Sequence, residues 1–185
     1  MFLSKGQETE YQKNLCEVLI MKKYCILFSP TGGTEKVTRA VTQNWGEIEA
    51  IDLTDTNLNY SAISLENDDI ALIAMPSFGG VAPQTALDRL LKIKGKGCMC
   101  AIIVVYGNRA YENTLVQMED YAIKAGFRVI AAVSAVAEHS IIRQFATGRP
   151  DKVDCKMLSA FGDKILEKAM SGAIAQPKIP GERPY

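Results

Sequence analysis

From Lys22 onward the sequence alternates short apolar runs with amphipathic segments, and no other feature restricts the fold as strongly. Tyr24 to Phe28, Ile48 to Leu53, Ile70 to Met75, Met99 to Tyr106 and Val129 to Val136 read as five strands. Most are apolar on both faces, as strands of a parallel sheet covered on each side must be. Helical periodicity occupies Glu35 to Asn44, Pro83 to Leu91, Asn113 to Ala125 and Asp151 to Met170. Pro83 suits a first helical position and Gly126 suits the residue just past a helix end. The stretch Thr54 to Asp68 has no strong period, so a helix there is a weak expectation. Strands with interposed helices predict a three-layer α/β sandwich with right-handed crossovers. No linker or internal repeat divides it.

Composition narrows the class. At 185 residues and 48% hydrophobic content the chain has the length for one domain with a substantial core. Lysine plus arginine equals aspartate plus glutamate at 21 each, so no bulk field draws nucleic acid or an anionic membrane. Cysteines at 16, 25, 98, 100 and 155 are odd in number and form no C-x-x-C. That usage suits reduced thiols in a cytoplasmic setting, and it lacks the clustered ligand run of an iron-sulfur site. Residues 1–21 are charged throughout and carry no signal-length apolar stretch. They read as an extension, or as the result of a misplaced start with Met21 as the natural first residue. A domain spanning 22–172 and a tail at 173–185 follow.

In a sheet of this kind, ligands bind beyond the carboxyl ends of the strands. After the first strand comes Ser29-Pro-Thr-Gly-Gly-Thr34, a turn built to hold a phosphate. Gly32 and Gly33 permit positive φ and leave the amides uncovered, while Ser29, Thr31 and Thr34 add hydroxyls. The following helix contributes free N–H groups and the positive end of its dipole. There is no Gly-Lys-Ser/Thr, no G-x-G-x-x-G spacing and no cation inside the loop, so a single phosphomonoester fits better than a triphosphate or pyrophosphate. The plainer alternative is an ordinary βα turn with Thr34 as N-cap. After the third strand lies Pro76-Ser-Phe-Gly-Gly80, and after the fourth Tyr106-Gly-Asn-Arg-Ala-Tyr-Glu112. Phe78 and Tyr111 are placed to flank a flat aromatic ligand. A phospho-accepting receiver domain shares this architecture but needs acidic strand ends, and here those positions hold Phe28-Ser29-Pro30 and Met75-Pro76. No metal site, catalytic base or catalytic triad is expected.

These motifs together resemble the flavodoxin family. Ser29-Pro-Thr-Gly-Gly-Thr34 is similar to the flavodoxin phosphate loop T-x-T-G-x-T. With Pro76-Ser-Phe-Gly-Gly80, Val105-Tyr-Gly-Asn-Arg-Ala-Tyr111, Ala137-Glu-His-Ser140 and Gly148-Arg-Pro-Asp151, it resembles the flavodoxin half of EFR-type flavodoxin-ferredoxin fusions. In those fusions a segment like Ile179-Pro-Gly-Glu-Arg-Pro-Tyr185 leads into a ferredoxin domain. The resemblance runs from about Lys22 to the C-terminus and implies a five-stranded sheet in the order 2-1-3-4-5.

It also implies non-covalent FMN and a role in electron transfer to or from a redox protein, such as a ferredoxin or a flavin or ferredoxin reductase. By position, Ser29, Thr31, Gly32, Gly33 and Thr34 would bind the phosphate. Ser77, Phe78, Gly79 and Gly80, with Tyr106, Gly107, Asn108, Arg109 and Tyr111, would border the ring system. Gly79-Gly80 would let a peptide turn its carbonyl toward the flavin, and Arg109 would sit as a cation near it. An FMN-dependent NAD(P)H reductase and a cofactor-less binding module are the alternatives. His139, the single histidine, follows the fifth strand and is read as structural or as a pH-sensitive neighbour of the site. The neutral net charge departs from the usual acidity of flavodoxins.

Overall fold

The structure is a computed structural model that describes residues 21–172 and 175–185. Cys16 and all of the expected extension except Met21 lie outside the described residues. Five strands are formed by Lys23–Leu27 (β1), Glu49–Asp52 (β2), Ile70–Pro76 (β3), Met99–Tyr106 (β4) and Arg128–Val136 (β5). The helices are Gly33–Val41 (α1), Gln84–Leu90 (α2), Thr114–Lys124 (α3) and Lys152–Met170 (α4). All neighbouring strands pair in parallel in the order β2-β1-β3-β4-β5, the predicted α/β sandwich and strand order.

The alternation of side chains divides the core between the two faces of the sheet. Along β3, Ala71, Ile73 and Met75 pack with Leu87 and Leu90 of α2 and Leu115 and Met118 of α3. The intervening Ile70, Leu72 and Ala74 pack with Val37 and Val41 of α1 and Leu158 and Ile165 of α4. Each of these β3 side chains is wholly buried, which explains why the strand shows no polar alternation in sequence. Cys98 and Cys100 are equally buried, and burial pushes both thiols up from their ordinary pKa. They act as small apolar side chains.

Differences from the sequence-based expectation lie at element ends. α1 starts at Gly33 because Gly32, at φ 81°, turns the chain in the left-handed region that favours glycine. Pro83 is the N-cap of α2 rather than its first helical residue. Thr54 to Asp68 contains only a single 3-10 turn at Tyr60–Ala62. There Asp52 accepts from Thr54 N–H at 2.7 Å and Asp55 accepts from Asn57 N–H at 2.8 Å, bonds that compete with a helix. α4 begins with a capping box in which Asp151 accepts from Asp154 N–H and Asp154 accepts from Asp151 N–H, both at 2.9 Å.

The C-terminal residues run back along α3. Ile179 packs on the core, and Glu182 N–H donates to Asn113 Oδ1 at 2.9 Å. Arg183 bridges Glu119 at 2.6 Å and Asp120 at 2.8 Å.

Candidate functional site

The carboxyl ends of β1, β3, β4 and β5 carry four loops that enclose one cavity of about 480 Å³. That volume lies within the range of about 300–1,000 Å³ usual for small-ligand sites. At one end stand Pro30, Thr31, Gly33 and Thr34. Gly33 and Thr34 begin α1, where helix N–H groups have no partner in the preceding turn. The backbone N–H groups of Thr31, Gly33 and Thr34 meet no acceptor among the described residues. Ser29 serves the loop from behind, its Oγ accepting from Glu35 N–H at 3.0 Å. The lining at this end has no cation. It combines free amides, threonine hydroxyls and a helix N-terminus, a donor set complementary to a small anion.

The opposite end is apolar and aromatic. Phe78, half exposed, stands on the β3–α2 loop beside Pro76, Ser77 and Gly79. Phe78 N–H donates to Val81 O at 2.8 Å, closing a tight turn whose central residues, Gly79 and Gly80, have φ of 64° and 88°. Positive φ at both central positions is the geometry of a type I′ turn, which glycine adopts most cheaply. Thr114 Oγ1 donates to Ser77 Oγ at 2.8 Å and Asn113 N–H donates to Gly80 O at 3.1 Å, so the start of α3 fixes this loop. Val105 and Tyr106 of β4 and Gly107 just after it join the lining, as do Glu138, His139, Ser140 and Ile141 of the loop after β5, whose first residue Ala137 lies beside Gly33 of the first loop.

A second cavity of about 320 Å³ adjoins the first, sharing Ser77, Gly79, Tyr106, Gly107 and His139 and adding Gly80, Arg109 and Glu112. Arg109 is exposed there. Glu112, at φ 43°, folds its side chain over Gly80, where a Cβ would fall 2.1 Å from the Glu112 carboxylate. Only glycine leaves room for that approach.

Among the residues singled out from sequence, Thr31, Gly33, Thr34, Ser77, Phe78, Gly79, Tyr106 and Gly107 meet on the main cavity, and Gly80 and Arg109 on its neighbour. Ser29 and Gly32 shape the first loop without lining either cavity. Asn108 and Tyr111 do not reach the walls. Tyr111 instead packs edge-on against Tyr106, ring centres 5.2 Å apart, and against the core, while Phe78 shares the cavity lining with the loop after β5. Thr34 is a buried residue inside α1, not its N-cap.

The contribution of Ala137 to Ile141 is the largest element that sequence reasoning left out of the site. Its signals were its position immediately after a strand, the Ala137-Glu-His-Ser140 motif and the lone histidine within it. The loop is tied to itself: Glu138 N–H donates to Arg149 O at 3.0 Å, and Gly148 N–H donates to Glu138 Oε2 at 2.8 Å. It is tied to α4 by the Arg149–Asp154 ion pair, which holds the Asp154 carboxyl below the usual carboxylate range. Among the described residues no group of histidine, cysteine and carboxylate side chains is placed to hold a metal, and no helix is long and apolar enough to cross a membrane.

No family model and no curated protein matches the chain. Solved structures do match it. Flavodoxin 1 from Bacillus cereus superposes with a TM-score of 0.54 at 18% identity, covering 79% of this chain and 97% of that one. Flavodoxin from Fusobacterium nucleatum, bound to flavin mononucleotide, gives 0.55 at 13% identity over 80% of this chain and 99% of that one. The Flv1 flavodiiron core from Synechocystis gives 0.58 at 19% identity; 89% of this chain is covered, but only 40% of the flavodiiron core. At these identities the likeness speaks for architecture alone. Strand order, parallel pairing and these superpositions together establish the flavodoxin-like α/β fold.

Proposed function

We propose that this chain is a flavodoxin-like FMN-binding protein that passes electrons to or from a redox protein. The observation that carries the reading is the two-ended cavity at the carboxyl edge of the sheet. Unpartnered amides of Thr31, Gly33 and Thr34 stand at one end, and Phe78, Tyr106 and Ile141 stand at the other. A ligand with one phosphate and one flat aromatic system matches both ends, and the donor set without a cation suits a monoester better than a pyrophosphate. The flavodoxin with flavin mononucleotide bound, which shares the fold, supports the choice of ligand.

In this reading Thr31, Gly33 and Thr34 receive the phosphate, with Ser29 and Gly32 holding the turn that presents them. Ser77 to Gly80 and Tyr106 to Arg109 border the ring, with Tyr111 and Asn108 supporting the second of these loops. When bound, FMN supplies the electron-transfer chemistry, and the protein supplies binding, orientation and a dry apolar wall. The half-exposed Phe78 leaves one margin of the site open to a partner, such as a ferredoxin or a flavin or ferredoxin reductase.

Fluorescence titration tests this directly. Added protein is expected to quench FMN one-to-one and to hold FMN more tightly than riboflavin, which lacks the phosphate. Equal affinity for the two would refute the phosphate loop, and absence of quenching would refute the function. Mixing the FMN-loaded protein with NAD(P)H separates a carrier, which stays oxidised, from a self-sufficient reductase, which bleaches.

A further inference from the structure

The single histidine of the chain is held on several sides. His139 Nδ1 accepts two backbone N–H groups, from Ile141 at 3.2 Å and from Ile142 at 3.1 Å. An imidazole nitrogen that accepts backbone N–H groups carries no proton of its own, which leaves Nε2 as the N–H of the ring. The backbone is fixed as well: His139 N–H donates to Phe145 O at 3.1 Å, and the ring packs edge-on to Phe145 with centres 6.4 Å apart. On its other side the imidazole lies against Gly107, where a Cβ would fall 2.5 Å from His139 Cδ2 and 2.9 Å from its Cβ and Cγ. The ring is therefore clamped between a glycine that leaves it room and two amides that set its tautomer.

His139 lines both cavities, and its Nε2 makes no hydrogen bond among the described residues. A donor of defined tautomer, clamped in orientation and left without a partner in a ligand-sized cavity, is a recognition group. We infer that His139 Nε2–H is a hydrogen-bond donor to the bound ligand, reading an acceptor atom on the polar margin of its ring system. This rests on the FMN reading above.

Long-range ¹H–¹⁵N spectra of uniformly labelled protein test the inference without ambiguity, because one imidazole gives all the signals. The free protein is expected to show the Nε2–H tautomer, and FMN is expected to shift the Nε2 resonance. His139→Phe, which keeps a ring but no donor, is expected to bind FMN about tenfold more weakly, the worth of one hydrogen bond. His139→Gln, which keeps a side-chain N–H, should lose less. FMN binding that leaves the imidazole resonances unmoved overturns this inference alone. Absence of FMN binding overturns both it and the proposed function, and an Nδ1–H tautomer in the free protein overturns the donor assignment.

Discussion

Gly162, in the middle of α4, sets local propensity against packing, and the sign of the outcome depends on which prevails. In an isolated helix Gly162→Ala should stabilise by about 1 kcal/mol, because glycine loses more backbone entropy than alanine. In this fold the added Cβ would fall 1.8 Å from the carbonyl oxygen of Val41 and 2.9 Å from its carbon. Both are backbone atoms at the end of α1, so no side chain can rotate away and the two helices must separate. Overpacking of this kind costs about 1–3 kcal/mol. Separation also stretches the hydrogen bond from Trp45 Nε1 to Gly162 O, 3.2 Å long, worth about 1 kcal/mol. The propensity gain cancels one such contribution and leaves a net loss of about 1–3 kcal/mol, lowering Tm by about 2–12 °C for a chain of this size. Trp45 is the only tryptophan and is buried at that contact, so its fluorescence reports both unfolding and local loosening. Urea denaturation followed by Trp45 emission and by circular dichroism gives the number. A variant as stable as the parent, or more stable, would refute the reasoning. Because α1 begins at the phosphate-loop end of the cavity, the variant should also hold FMN less well.

Asp154→Asn removes the carboxylate that Arg149 holds below its usual pKa range. A group depressed in the folded state contributes stability above its unfolded pKa of about 3.9 and loses it as pH falls through the folded value. The variant should therefore be less stable by about 1–2 kcal/mol at pH 7, a charged hydrogen bond discounted for the partly exposed Arg149, and the gap should close as pH falls below the unfolded value. Denaturation curves at several pH values check this, and a gap that widens in acid contradicts it. Arg183→Ala leaves Glu119, only 6% exposed, without its guanidinium partner. A loss of about 1–2 kcal/mol is expected, below that of a fully buried pair because Arg183 is itself partly exposed, together with faster proteolytic trimming of residues 175–185. Unchanged stability and unchanged trimming would show that the tail is not fastened through Arg183.

Much of the architecture was legible because its physics is repetitive along the chain. Ile70 to Met75 and Met99 to Tyr106 are apolar at every position because both faces of those strands are covered, and that pattern has few other solutions. Element ends were less legible, since they depend on single conformations. The φ of 81° at Gly32 moved the start of α1 to Gly33, and side-chain bonds of Asp52 and Asp55 left Thr54 to Asp68 without a helix. In the site, Thr31 to Thr34 could be singled out because hydroxyls and glycines in that order serve few purposes. The packing of Tyr111 on Tyr106 was not legible, because an aromatic near a strand end signals burial as readily as exposure. The loop from Ala137 to Ile141 was noticed as a motif but not counted among the lining residues, because its place depends on the Arg149–Asp154 anchor that joins it to α4.

The most direct test of the central claim is to map the ligand on the protein by amide resonances. In ¹H–¹⁵N spectra of the labelled chain titrated with FMN, the amides of Thr31, Gly33 and Thr34 should shift together with those of Phe78, Gly79 and Gly107. Val153 and Met157, exposed on α4, should stay in place. Shifts confined to another surface, or no shifts at saturating FMN, would contradict the account.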